Sequence, residues 1–94
     1  MIILGRDKLY QFGQAHADAR NWISSWIAEV EDANWRTPQD IKRRYSSASF
    51  LPENRVIINV KGNSYRLEVQ VAFKTGTVVV KHIETHAEYT KRCG

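Results

Sequence analysis

The residues best suited to chemistry crowd into the C-terminal stretch KHIETHAEYTKRCG. Within it, Thr85-His86-Ala87-Glu88 carries threonine and glutamate three residues apart. In that pattern two side chains satisfy the first backbone N–H groups of a helix. His86 is then expected at the first position of a short helix, with Tyr89 on the same side of the same turn. The N–H groups that open such a turn suit an anion. A proton-exchanging imidazole, a phenol and anion-binding amides together could work on a phosphate. From spacing alone, a surface histidine and a tyrosine that packs the last helix are the plainer reading.

Such a site needs positive charge around it, and the chain supplies it unevenly. Residues 1–35 carry three Lys/Arg against five Asp/Glu, a balance of −2. Residues 36–94 carry eleven against five, a balance of +6, within a net charge of +4 and a pI near 9.5. The C-terminal part is therefore expected to meet a polyanion or an acidic partner. The sequence shows no clustered His/Cys/Asp/Glu set, so a metal-dependent reaction is not expected, nor is any cofactor. The one cysteine, Cys93, can form no disulfide within the chain. The opening MIILG is too short for a signal peptide and no apolar run is long enough to span a membrane, which points to a cytoplasmic protein.

The 94 residues suit one domain, 1–94, and the elements that must position the terminal histidine follow from periodicity. IIL is a short strand candidate. RDKLYQFGQAH places Leu9 and Phe12 at helical spacing, with Gly13 weakening its end. ADARNWISSWIAEVEDAN carries Ala19, Trp22, Ile23, Trp26, Ile27 and Val30 on one stripe, so its tryptophans read as core and not as a stacking platform. His16, just before it, reads as a boundary residue. TPQDIKRRY predicts a short helix with Thr37 as N-cap, Pro38 at its first position and Asp40 in its first turn.

From Arg55 the period becomes two. Val56, Ile58 and Val60 alternate with Ile57, Asn59 and Lys61; then Tyr65, Leu67, Val69, Val71 and Phe73 alternate with Arg66, Glu68, Gln70 and Ala72. Gly62-Asn63 supplies the turn between them, which sets Ile58 opposite Leu67 and Asn59 opposite Arg66. The apolar sets then share one face, and Asn59, Lys61, Arg66, Glu68 and Gln70 the other, with Glu68 able to hold Arg66. The next turn, at KTG, allows two registers. The one that keeps Lys81 out of the core puts Val78, Val80 and His82 on the apolar face, and Lys81 beside Arg66 and Lys61. The expected fold is α+β, with two N-terminal helices laid on one face of an antiparallel sheet and a short C-terminal helix.

Three segments in order, TPQDIK, KGNSYRL and THAEY, resemble the HigB family of toxins, within the RelE-like messenger-RNA interferases. The likeness runs over roughly residues 34–91. It implies a small RelE-like RNase fold, endonucleolytic cleavage of mRNA, often on the ribosome, and neutralisation by a helix-turn-helix antitoxin of the HigA type. Cutting RNA without metal needs a base for the 2′-hydroxyl, positive charge for the phosphorane and an acid for the 5′-oxygen. On this chain those tasks fall to His86 as acid or base and to Arg66 on the charged phosphate. Lys61 assists electrostatically, and Tyr89 orients the phosphate or stacks on a base. Lys42, Arg43, Arg44, Asn63 and Lys81 are expected to grip RNA without reading its sequence. The competing reading is a non-catalytic RNA- or ribosome-binding module using the same basic face.

Overall fold

The computed structural model describes residues 1–62 and 64–93, with side chains up to Lys91. Asn63, given an RNA contact and half of the turn above, lies outside the described residues, as does the side chain of Cys93. The elements are β1 (Ile2–Leu4), α1 (Arg6–Ala15), α2 (Arg20–Asp32), α3 (Pro38–Arg44), β2 (Ser49–Leu51), β3 (Arg55–Val60), β4 (Tyr65–Ala72), β5 (Thr77–Thr85) and α4 (His86–Cys93).

The five strands form one sheet in the order β1-β5-β4-β3-β2. Strands β3, β4 and β5 make the expected antiparallel meander, with Ile58 opposite Leu67 and Asn59 opposite Arg66. Two strands extend it. β1 runs parallel to β5, pairing Ile2–Leu4 with Thr77–Val79, and β2 pairs antiparallel with β3. The sheet is therefore mixed, and its α+β architecture is consistent with the RelE-like fold that the resemblance implies.

One face of the sheet carries Val56, Ile58, Val60, Leu67, Val69, Val71, Val78 and Val80, all buried. Against it lie Leu9 of α1 and the stripe Ile23, Trp26, Ile27 and Val30 of α2, so removal of this apolar area from water holds the two layers together. Gly13 lies in the last turn of α1. It is buried, a Cβ there would stand 3.2 Å from Arg20 Cγ, and its carbonyl accepts from Arg20 Nε at 2.8 Å.

At the other end of α1, Gly5 sits at φ +86°, with space for a Cβ only 2.9 Å from the Val80 carbonyl oxygen. This close approach lets α1 leave the end of β1 and cross beside β5. Gly5→Ala is expected to lower stability by roughly 1–2 kcal/mol from the left-handed backbone alone, with the clash adding to it. A urea titration of both proteins would check this, and an unchanged midpoint would contradict it.

The register of β5 departs from the expectation past Val80. Val69 pairs with Val80 but Glu68 pairs with His82, so a β-bulge lets Lys81 and His82 together oppose one residue of β4. The extra residue shifts the phase. Ile83, opposite the buried Leu67, packs against the core in place of His82, which is exposed. Lys81 avoids the core, as expected, and the bulge turns His82 out beside it. The opposite face of the sheet is only partly solvated, because Ile57 and Glu68 are buried on it.

Candidate active site

Arg66 sits near the start of β4, opposite Asn59 of β3 and Glu84 of β5. Its Nη1 donates to the Asn59 side-chain oxygen, and the Asn59 amide donates in turn to Ser47 Oγ at 3.3 Å. The guanidinium carbon lies 5.6 Å from the centre of the Tyr89 ring. That is within range for attraction between a cation and an aromatic face. Arg66 Nε is buried and has no acceptor among the described residues. A planar cation is thus held by an amide on one side and a phenol ring on the other, with a donor left over. The neighbouring Glu68 forms an ion pair with Arg55 at 3.5 Å.

Helix α4 starts where β5 stops, and its cap is the one expected. The Thr85 N–H donates to Glu88 Oε1 at 2.9 Å, and the Glu88 N–H to Thr85 Oγ1 at 3.2 Å. These two bonds hold the Glu88 carboxyl below its ordinary pKa. The Thr90 hydroxyl donates to the His86 carbonyl at 3.0 Å, one turn back. His86 opens the helix and is exposed; Tyr89 is half-buried against Arg66. The strand pairing therefore joins Arg66, Tyr89 and the helix carrying His86 at one end of the sheet.

Lys61 points elsewhere. Its backbone is left-handed at φ 50°, which turns the side chain out of the row of Asn59 and Arg66. Its ammonium lies 3.9 Å from Asp18 Oδ2, in a cleft that Trp22 also lines. The α3 cations are partly committed as well. Lys42 Nζ donates to the Ala48 carbonyl at 3.0 Å. Arg44 pairs with Glu29 through two bonds and covers the Tyr45 ring at 4.8 Å. Arg43, paired with Asp40 at 3.1 Å, keeps 77% of its side chain exposed and is the freest of the three. Lys81 is half-buried at the bulge.

The sequence reading did not foresee what steadies this end of the sheet. Tyr65, next to Arg66 and opposite Thr85, donates its hydroxyl to Asp18, with 2.7 and 2.9 Å to the two carboxylate oxygens. His16 and Phe12 stack at 4.2 Å, and each ring lies 5.1 Å from Tyr65. The loop between the first two helices is thereby tied to the strand that carries Arg66. The only signal in the sequence was a tyrosine heading an apolar alternation, and its acidic partner lies 47 positions away.

This bond has a pH signature. The Tyr65 hydroxyl, more than the nearby Lys61, holds the Asp18 carboxyl below its ordinary value. A carboxyl whose pKa is depressed by folding adds stability above its unfolded value, about pH 4, and loses it as pH falls through the folded value. Tyr65→Phe is therefore expected to lower the Tm most near neutral pH, with the gap to wild type closing below about pH 4. Melting curves across that range would show it; a pH-independent gap would mean that Tyr65 acts through packing alone.

Among the described residues, no group of three or more His, Cys, Asp or Glu is placed to hold a metal ion, and no helix is long and apolar enough to cross a membrane. A family model described as HigB_toxin, RelE-like toxic component of a toxin-antitoxin system, matches residues 19–92. That span contains β2 to β5 entire and α4 as far as residue 92, and with them Arg66, His86 and Tyr89. No curated protein matches the chain significantly.

Proposed function

The chain belongs to the HigB toxin family, the RelE-like toxic components of toxin-antitoxin systems, and from that premise we propose that it is a metal-independent endoribonuclease that cuts mRNA during translation. One observation carries the reading. Arg66 is anchored by Asn59, faces Tyr89 and keeps a buried donor unmet, beside a capped helix that opens on His86.

The chemistry follows from those groups. The ribose 2′-hydroxyl attacks the adjacent phosphorus, the bond to the 5′-oxygen breaks, and the ends left are a cyclic 2′,3′-phosphate and a 5′-hydroxyl. Arg66 offers its guanidinium to the negative charge that grows on the phosphorane oxygens. His86 exchanges a proton at the attacking or the departing oxygen. Tyr89 holds the guanidinium plane and presents a hydroxyl at the same place. Arg43 and Lys81 add sequence-blind attraction for the RNA backbone. The ribosome presents the substrate, the reaction takes place in the cytoplasm where mRNA is translated, and the antitoxin that the family implies is of the HigA helix-turn-helix type.

The test is end mapping of a translated mRNA incubated with the purified protein in chelator, with and without ribosomes. Discrete new 5′-hydroxyl ends that persist in chelator are expected, and the ribosome requirement is read from the same gel. RNA left whole in every lane, with binding retained, would replace the nuclease by a module that occupies RNA or ribosome without cutting.

A further inference from the structure

A family toxin has an antitoxin partner, and the sheet offers that partner an edge. Strand β1 pairs with β5 only along Thr77–Val79, whereas β5 continues to Thr85. At Val80 the side left open is covered by Gly5, and Lys8 Nζ donates to the carbonyls of Val80 and Lys81 at 3.3 and 3.4 Å. Beyond that, no strand among the described residues pairs with this side of β5. Between it and α1 lies a groove of about 390 Å³, lined by Lys8, Gln11, Phe12, Lys81, Ile83 and Glu84 among others.

We propose that an extended, acidic segment of the antitoxin adds to β5 as a further strand along residues 81–85, in line with β1. An open strand edge presents backbone donors and acceptors in the order a second strand can match. Phe12 and Ile83 give the groove an apolar floor for one side chain of the incoming segment. Lys8 and Lys81 outnumber Glu84, which favours carboxylates on that segment. A lysine spanning two carbonyls is a replaceable cover, because its ammonium can move to an arriving carboxylate while the carbonyls take peptide N–H groups. An RNA strand has no peptide groups to match the edge and would bring phosphates towards Glu84. The added strand would end at Thr85, the cap of the helix that carries His86 and Tyr89, so occupancy of the edge reaches the candidate active site directly.

The proposal rests on the family's antitoxin partner and not on the nuclease reading. The test is amide hydrogen exchange on the full chain, alone and in complex with its own antitoxin, together with the affinity of a Lys8→Glu variant. Lys8 is exposed, so that variant is expected to fold. Of the amides of 81–85, those that point away from β4 and take no part in the helix cap are expected to exchange at least about tenfold more slowly in the complex, and Lys8→Glu to weaken binding by about tenfold. Unchanged exchange there in a formed complex overturns the proposal, as does protection of the same amides by RNA and not by antitoxin. A chain that cut no RNA but showed edge protection would refute the nuclease and keep the edge; a working nuclease without edge protection would do the reverse.

Discussion

Arg66→Ala is expected to slow RNA cleavage by about 10²–10³-fold, the usual cost of removing one preorganised group that stabilises transition-state charge. The guanidinium is held in place before substrate arrives, by the Asn59 oxygen and the Tyr89 ring. No reorganisation is then needed when charge develops on the phosphorane. The fold should survive, because Asn59 keeps its bond to Ser47 and the core face of β4 is untouched. Arg66→Lys is expected to recover only part of the rate, since an ammonium keeps the charge but neither the planar contact with Tyr89 nor the fork of donors. Single-turnover rates at saturating protein separate this from a binding defect. By contrast, Arg43→Ala should weaken affinity and lower the salt dependence while leaving the saturated rate alone. If Arg66→Ala lost affinity only, with an unchanged rate at saturation, Arg66 would be a grip and not a catalyst.

The pairing that puts Arg66 in place was legible in the sequence, and the contacts that finish the site were not. Alternation along 56–60 and 65–73 has two phases, which limits the pairing to registers where both apolar sets share a face, and a two-residue turn at Gly62-Asn63 selects one of them. Asn59 opposite Arg66 therefore followed from pattern and turn together. The capping box at Thr85 and Glu88 was legible for the same reason, being local and spaced by the backbone. β5 misled because alternation carries no record of an inserted residue. The adjacent polar pair Lys81-His82, flanked by Val80 and Ile83, was the trace of the bulge, and strict alternation placed His82 where Ile83 lies. β2 is three residues long, too short for a period to show. Lys61 was set beside Arg66 by parity, but a left-handed backbone at the turn breaks parity and gives it to Asp18. The contacts of Tyr65 with Asp18 and of Arg66 with Tyr89 join distant parts of the chain, so they become visible only in the folded protein.

His86 is the residue on which the reading of the C-terminus turns, and His86→Ala is expected to cost about 10²–10⁴-fold in cleavage rate, the range for a lost proton-transfer group. The side chain is exposed and makes no part of the cap, which Thr85 and Glu88 close between themselves. Stability should therefore change little, and helix α4 should still present Tyr89 to Arg66. A slower rate alone would not separate proton transfer from hydrogen bonding to the phosphate, so two further proteins and one additive decide it. His86→Gln keeps a hydrogen-bonding head of similar reach but cannot exchange a proton at neutral pH; it should be nearly as slow as alanine if the role is acid or base. Free imidazole added to His86→Ala should restore part of the rate, because a diffusing base or acid can enter an exposed position left empty. Recovery by glutamine without rescue by imidazole would assign His86 to holding the phosphate, and the proton transfers would then pass to Tyr89 or to water beside Arg66. A full rate in His86→Ala would remove the imidazole from the chemistry and leave Arg66 and Tyr89 as a phosphate clamp.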